Sequence, residues 1–297
     1  MEHYLIFNEY TYMLKVIFIA LIAFLSSPVK AQFEGTWKGV FIPAGVSASQ
    51  GTIVYLDLNY NGNSLTGKIR NEGYESDMYA VKLFESEVRN NELHFEERVV
   101  LSQKKTSRNK WCRHKGIMQY DSITGYLEGT YTSSDCRRVS GKIKLFRSAF
   151  EFPEETNITV SQVWFDRFLY DLTEGLDAPE IRKLQRDNFV FEPIFFDFDK
   201  AEIRPEHYQY MNRMIRVVKG HSDLRVLVTG HTDSRGSNEY NDDLSKRRAQ
   251  AIVDYFLVNG LTGDRLEFDF KGEKLPVDSN STPEGRQRNR RVDFRFI

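Results

Sequence analysis

Val226 to Asn238 reads VLVTGHTDSRGSN and continues to Phe256 as EYNDDLSKRRAQAIVDYF. The first three residues are apolar and two are β-branched, and Gly230 closes the run, which predicts a short buried strand. Further on, Leu244, Arg248, Ile252 and Tyr255 recur at three- and four-residue steps, with Ala249 and Ala251 favouring helix. The polar loop between them begins with Asp233 and ends in helix-capping residues. Such a strand–loop–helix unit sets one acid, Asp233, just past a strand and one base, Arg248, about ten residues into the next helix. Asn241, Leu244, Ser245 and Arg248 fall on one helical face and are expected to line a common cleft.

A carboxylate and a guanidinium held apart across a cleft complement a zwitterion. Asp233 can accept from an ammonium, and Arg248 can fork onto a carboxylate through two parallel N–H···O bonds. The plainer alternative is an ordinary ion pair fastening loop to helix, which spacing alone favours.

Several other pieces stand in order around this unit: Phe196-Asp197-Phe198-Asp199, Gly230-His231-Thr232-Asp233, Gly236, Tyr240-Asn241, Leu244-Ser245, Arg248-Ala249 and Asn289-Arg290-Arg291-Val292. Together they resemble the C-terminal peptidoglycan-binding domain of the OmpA family, shared with Pal-type lipoproteins and flagellar stator proteins. The resemblance spans roughly 189–297. It implies a compact α/β domain that binds meso-diaminopimelate in the peptide stem of Gram-negative cell wall and needs no cofactor. Asp233 would then take the ligand's ammonium and Arg248 its carboxylate. Asp199, in the Phe-Asp-x-Asp piece, would border the pocket, with a plain turn Asp as the alternative. Asn241 would hydrogen-bond the ligand or cap the helix, and Arg290 would reach toward the carboxylate. Thr232 and Leu244 complete the candidate set. Arg291 reads as an outward or sheet-edge charge, Arg247 points about 100° away from Arg248 on the helix, and His231 reads as structural.

At 297 residues the chain exceeds what one core usually organises, so two domains are expected. The formal net charge is −1, and residues 189–297 carry 18 Lys/Arg against 18 Asp/Glu. A field that sweeps in polyanions is therefore not expected, and nucleic acid is not a predicted partner. Cys112 and Cys136 are too few for a disulfide scaffold and match no zinc spacing; in an oxidising compartment they would form a single bridge.

Residues 1–31 read as a secretory signal. The apolar run Val16–Leu25 follows Lys15, Val29 and Ala31 occupy the −3 and −1 positions, and Met13 offers an alternative start. Residues 33–150 read as all-β. Eight short alternating runs (Thr36–Phe41, Thr52–Tyr60, Ser64–Arg70, Met78–Glu87, Glu92–Leu101, Gly116–Tyr120, Thr124–Tyr131 and Gly141–Phe146) suggest a closed barrel or a sandwich. Phe33-Glu34-Gly35-Thr36-Trp37-Lys38-Gly39 faintly resembles the start of lipocalin-like barrels. Charges within the runs and their shortness argue against spanning strands. Residues 151–188 read as a semi-rigid helical linker, with an apolar stripe of Val160, Val163, Trp164, Phe168 and Leu172 and a second helix from Pro179 to Gln185. Residues 189–297 read in β-α-β-α-β-β order.

The reading that follows is a non-catalytic wall-binding protein of the periplasm, associated with the outer membrane, with a β domain of separate purpose. Outer-membrane proteins or lipid are further candidate partners; six bases between Lys104 and Lys115 can grip an anionic lipid headgroup or a glycan, the plainer alternative being a solvated hairpin tip. Two other classes compete. A carrier would show a large apolar cavity in the barrel, and an enzyme would show clustered carboxylates in a cleft. Spacing supports no paired-carboxylate, metal-ligand or triad arrangement.

Overall fold

The computed structural model describes residues 31–61, 64–107, 110–153 and 162–297. The apolar run Val16–Leu25, the Met13 start, Arg108 and Val160 lie outside them. The chain divides into two compact units, 1–178 and 179–297.

The first unit is built on eight antiparallel strands: β1 (Gly35–Pro43), β2 (Thr52–Asn61), β3 (Ser64–Glu72), β4 (Tyr79–Arg89), β5 (Glu92–Lys104), β6 (His114–Tyr120), β7 (Tyr126–Ser133) and β8 (Ser140–Arg147). Each pairs with the next, and β1 pairs with β8, so the sheet closes into a barrel rather than a sandwich. Closure follows from the period-two pattern. Every strand has one apolar face, and a closed sheet buries all eight faces and leaves no unpaired edge. Trp37, Val54, Leu65, Phe84, Leu93, Met118, Leu127 and Ile143, one from each strand, belong to that interior, and all are buried. Trp37 donates from Nε1 to the Phe33 carbonyl at 3.0 Å. The Arg147 guanidinium lies 4.4 Å over its ring and donates to the Gln32 carbonyl at 2.6 Å, clasping the chain entry to the last strand.

Apolar side chains point inward while Lys38, Asp57, Lys68 and Glu85 point outward, the reverse of a barrel wall facing lipid tails. The interior departs from apolar packing at one level. Lys82 Nζ donates to Glu97 Oε2 at 2.7 Å, to Asn71 Oδ1 at 2.8 Å and to the Cys112 carbonyl at 2.5 Å. Burial pushes the Glu97 carboxyl up, but bonds from His114 and the Lys82 charge outweigh it and hold the group below the ordinary carboxylate range. Cys112 and Cys136 form a disulfide with Cα atoms 5.8 Å apart.

A second apolar patch on the outer wall, Val40, Ile53, Tyr55, Tyr126 and Phe146, packs with α1 (Val163–Thr173). Of the expected stripe, Trp164, Phe168 and Leu172 pack against this patch, and the helix face differs at two positions. Phe165 and Phe168 are buried, whereas Val163 is 80% exposed. Phe165 and Phe168, one turn apart, take the covered side, and Val163 opens the helix on the other.

The second unit begins with α2 (Pro179–Asp187), followed by β9 (Ile194–Phe195), α3 (Tyr208–Gly220), β10 (Val226–Gly230), α4 (Asn238–Val258), β11 (Leu266–Phe270), α5 (Pro283–Asn289) and β12 (Arg291–Phe296). Sheet order is β11-β10-β12-β9, with β10 parallel to β11 and antiparallel to β12. Val226, Val228, Val292 and Phe294 on one sheet face share a core with Met211, Met214, Ile252 and Phe256 of α3 and α4. β9 is only two residues long and begins directly after Pro193, which has no N–H for the ladder. A Cβ on Gly230 would lie 2.0 Å from the Ser245 carbonyl oxygen, so glycine is what lets α4 cross the end of β10 this closely.

Lys82→Met would take the one lysine charge from the buried Glu97, leaving it only its bonds from His114, and is predicted to lower barrel stability by about 3 kcal/mol, with Lys82→Met/Glu97→Gln recovering most of it. All three tryptophans, Trp37, Trp111 and Trp164, lie in the first unit, so fluorescence-detected denaturant unfolding reads this out. Because the folded Glu97 pKa is depressed, its contribution is complete above the unfolded carboxylate range near ~4.3 and is lost as pH falls below it.

Candidate functional site

Four segments meet outside the carboxyl end of β10, where α/β sheets commonly open a crevice. The turn after β9 brings Phe198 and Asp199. The loop after β10 brings Thr232, Asp233, Arg235 and Gly236. The first half of α4 brings Tyr240, Asn241, Leu244 and Arg248, and the residue after α5 brings Arg290. They line a cavity of about 170 Å³. That is well below the few hundred Å³ of sites for drug-sized ligands and suits a small polar head group. All seven candidates (Asp199, Thr232, Asp233, Asn241, Leu244, Arg248 and Arg290) come together here.

The local sequence explains the arrangement. Gly236 at φ +108 turns the loop, and Ser237 caps α4 by accepting from the Tyr240 amide at 3.2 Å. The cap is therefore Ser237, and the Asn241 side chain is free for other work. Asp199 sits at φ +56, a left-handed conformation that Asp tolerates, so it is a turn residue and a pocket wall at once. Its carboxylate accepts from the Tyr240 hydroxyl.

Asp233 is 3% exposed, and its partner is Arg290, not Arg248: Arg290 Nη1 donates to Asp233 Oδ2 at 2.8 Å. Asp233 Oδ1 accepts from the Arg235 amide at 3.1 Å. Arg248 is fully buried and bonds three backbone carbonyls: Lys200 from Nε at 2.8 Å, His231 from Nη1 at 3.0 Å and Asp197 from Nη2 at 3.0 Å. A guanidinium has five N–H donors, so one remains on each of Nη1 and Nη2. Burial, then repulsion from Arg290, lowers the Arg248 pKa to about 10, with Asp233 and Asp199 opposing, and the group stays charged at neutral pH.

Two buried atoms on the cavity wall have no hydrogen-bond partner among the described residues: Thr232 Oγ1 and Asn241 Oδ1. Both residues are at most 2% exposed, and a buried polar atom left alone is costly. Asn241 Nδ2 donates to Glu273 Oε2 at 2.5 Å. The charged side chains lining the cavity are three arginines and two aspartates, a balance that favours an anionic pole in the ligand.

Two readings of neighbouring residues change, those of Ser245 and Arg291, while His231 stays structural. Ser245 does not reach the cavity: it is buried, and its Oγ accepts from the Gly272 amide at 3.0 Å. Arg291 is no outward charge, being 4% exposed and bonded to Asp293 at 2.9 Å. His231 lies beside the cavity wall with Nε2 3.3 Å from Asp293 Oδ2. Phe198, Arg235, Gly236 and Tyr240 also line the cavity but were not among the candidates. The position of Tyr240, one turn before Leu244 on the same helix face, is the sequence feature that could have found it.

Residues 195–290 match the sequence model of the OmpA family, and the second unit is an OmpA-like domain. The chain is 41% identical over 102 residues to the peptidoglycan-binding protein ArfA of Mycobacterium tuberculosis, covering 34% of this chain and 31% of ArfA. It is 37% identical over 103 residues to outer membrane protein A of Bordetella avium, covering 35% of this chain and 53% of that relative. The chain thus spans about a third to a half of the length of these relatives. Among solved structures, the peptidoglycan-associated lipoprotein of Burkholderia pseudomallei is 27% identical with a TM-score of 0.35, covering 35% of this chain and 89% of that one.

Thr232→Val removes a buried hydroxyl that bonds nothing and is predicted to leave the melting temperature unchanged or raised. Arg248→Lys strips donors from carbonyls in separate segments and is predicted to lower stability by about 2–4 kcal/mol. Thermal unfolding followed by circular dichroism checks both.

Proposed function

We propose that this protein is a non-catalytic cell-wall anchor whose second unit binds peptidoglycan by holding the free amino-acid centre of meso-diaminopimelate in the cavity after β10. That centre carries an ammonium and a carboxylate on one carbon. Asp233 takes the ammonium and the two remaining N–H groups of Arg248 take the carboxylate, with Arg290 beside Asp233 adding positive charge. Thr232 Oγ1 and Asn241 Oδ1 gain partners in the ligand, and Leu244, Asp199 and the Tyr240 ring complete the wall.

The observation that carries this reading is the pairing of a small cavity with two unpartnered buried polar atoms and an Arg248 whose guanidinium is fixed in place by three carbonyls. Pre-organised donors of this kind lose little freedom on binding. The OmpA-family match and the peptidoglycan-binding relative agree with it. Such an anchor would work in the periplasm at the outer membrane of a Gram-negative cell. The carrier reading gains nothing from the barrel, whose interior is occupied by packed side chains from all eight strands.

Arg248→Ala would remove structural bonds together with the ligand contact, so Asp233→Asn is the cleaner test. It is predicted to abolish co-sedimentation of the full chain with diaminopimelate-type peptidoglycan, and Thr232→Val to weaken it several-fold with no loss of melting temperature. Undiminished co-sedimentation of Asp233→Asn would contradict the assignment.

A further inference from the structure

At one end of the barrel, β5 carries two residues more than its partner. Phe84 pairs with Glu97, Lys82 with Val100 and Val81 with Ser102, so β5 gains one residue on β4 in each interval. Extra residues of this kind are bulges, which bend a strand and re-aim side chains. Here they accompany exposure of two aliphatic residues, Val99 at 58% and Leu101 at 51%. Pairing with β6 covers Leu93 to Glu96, so this bulged part of β5 extends past the ladder on that side.

The chain returns through a segment rich in bases, and the Cys112–Cys136 disulfide ties that segment to the β7–β8 turn, which carries two more. Lys104, Lys105, Lys110, Arg113, Arg137 and Arg138 thereby gather at this end, outnumbering the carboxylates of its turns, Glu75, Asp77 and Asp135. Asp77 pairs with Lys104, and Asp135 with both Lys110 and Arg113. Lys105, Arg137 and Arg138 are exposed and form no ion pair among the described residues. Trp111 is half-buried there, its Nε1 donating to the Lys104 carbonyl at 3.1 Å.

We infer that this end of the barrel is a docking surface for an anionic phospholipid membrane. Exposed single aliphatics are ordinary on protein surfaces, and a charged hairpin tip is usually only solvated. What sets this end apart is that consecutive bulges expose aliphatic residues on the strand that leads into a base-rich segment, and a disulfide gathers bases from two segments. A soluble polyanion would use the bases but has no use for Val99 and Leu101. A leaflet offers anionic headgroups to the bases and an apolar layer to the aliphatics, with an indole suited to the boundary. This surface is separate from the cavity after β10 and its test does not depend on peptidoglycan binding.

The test is sedimentation of the full chain with phosphatidylcholine vesicles and with mixed phosphatidylcholine–phosphatidylglycerol vesicles. Every variant shares the Val16–Leu25 run, so the difference between variants reports the barrel. The wild type is expected to bind the anionic vesicles more tightly, with binding that falls as salt rises. Lys105→Glu/Arg137→Glu/Arg138→Glu should lower that partitioning on the order of a hundredfold and leave neutral-vesicle binding unchanged. Val99→Ser/Leu101→Ser should lower it about tenfold and keep the salt dependence. Equal binding to both vesicle types, no effect of the charge reversal, or no effect of Val99→Ser/Leu101→Ser would each overturn the inference, as would capture by heparin without vesicle binding.

Discussion

The second unit depends on the way one guanidinium is held. Arg248 projects from α4 and bonds the carbonyls of Asp197 and Lys200 in the turn after β9 and of His231 at the end of β10. Those bonds tie a helix to two loops, alongside the hydrogen bond from Tyr240 to Asp199. They also fix the group that the proposed ligand needs, so one residue would serve stability and recognition together. A buried cation of this kind is tolerable because each nitrogen makes a hydrogen bond and Asp233 and Asp199 lie near it.

The cavity then follows from backbone close approach. Gly230 lets α4 cross β10, Ser237 starts the helix at the register that turns Asn241, Leu244 and Arg248 toward the loop, and Arg290 closes the far side by bonding Asp233. Arg290 occupies the carboxylate that an incoming ammonium would share. A ligand bound there would enter a site already charge-paired, exchanging contacts rather than neutralising an isolated acid.

Much of this was legible in the sequence because it is local. The bounds of α4, α5 and β12 follow from caps, periodicity and alternation, and the eight barrel runs follow from turn residues between alternating segments. The family resemblance placed all seven candidate residues that share the cavity. What could not be read was pairing across the fold. Nothing in the spacing shows that Asp233 meets Arg290 while Arg248 turns to carbonyls, or that Ser245 and Arg291 face inward. The bulges of β5 were equally hidden, since an extra residue is defined only against its partner strand. Barrel closure itself depends on β1 meeting β8 more than a hundred residues later in the chain.

The central claim is that Asp233 and Arg248 hold opposite poles of one amino-acid head group. Lysine in place of diaminopimelate keeps the ammonium and lacks the carboxylate, so calorimetric titration of the full chain with the two stem peptides isolates the Arg248 half. The account predicts binding of the diaminopimelate peptide and a loss of about a hundredfold or more for the lysine peptide. Equal affinity for both would contradict it.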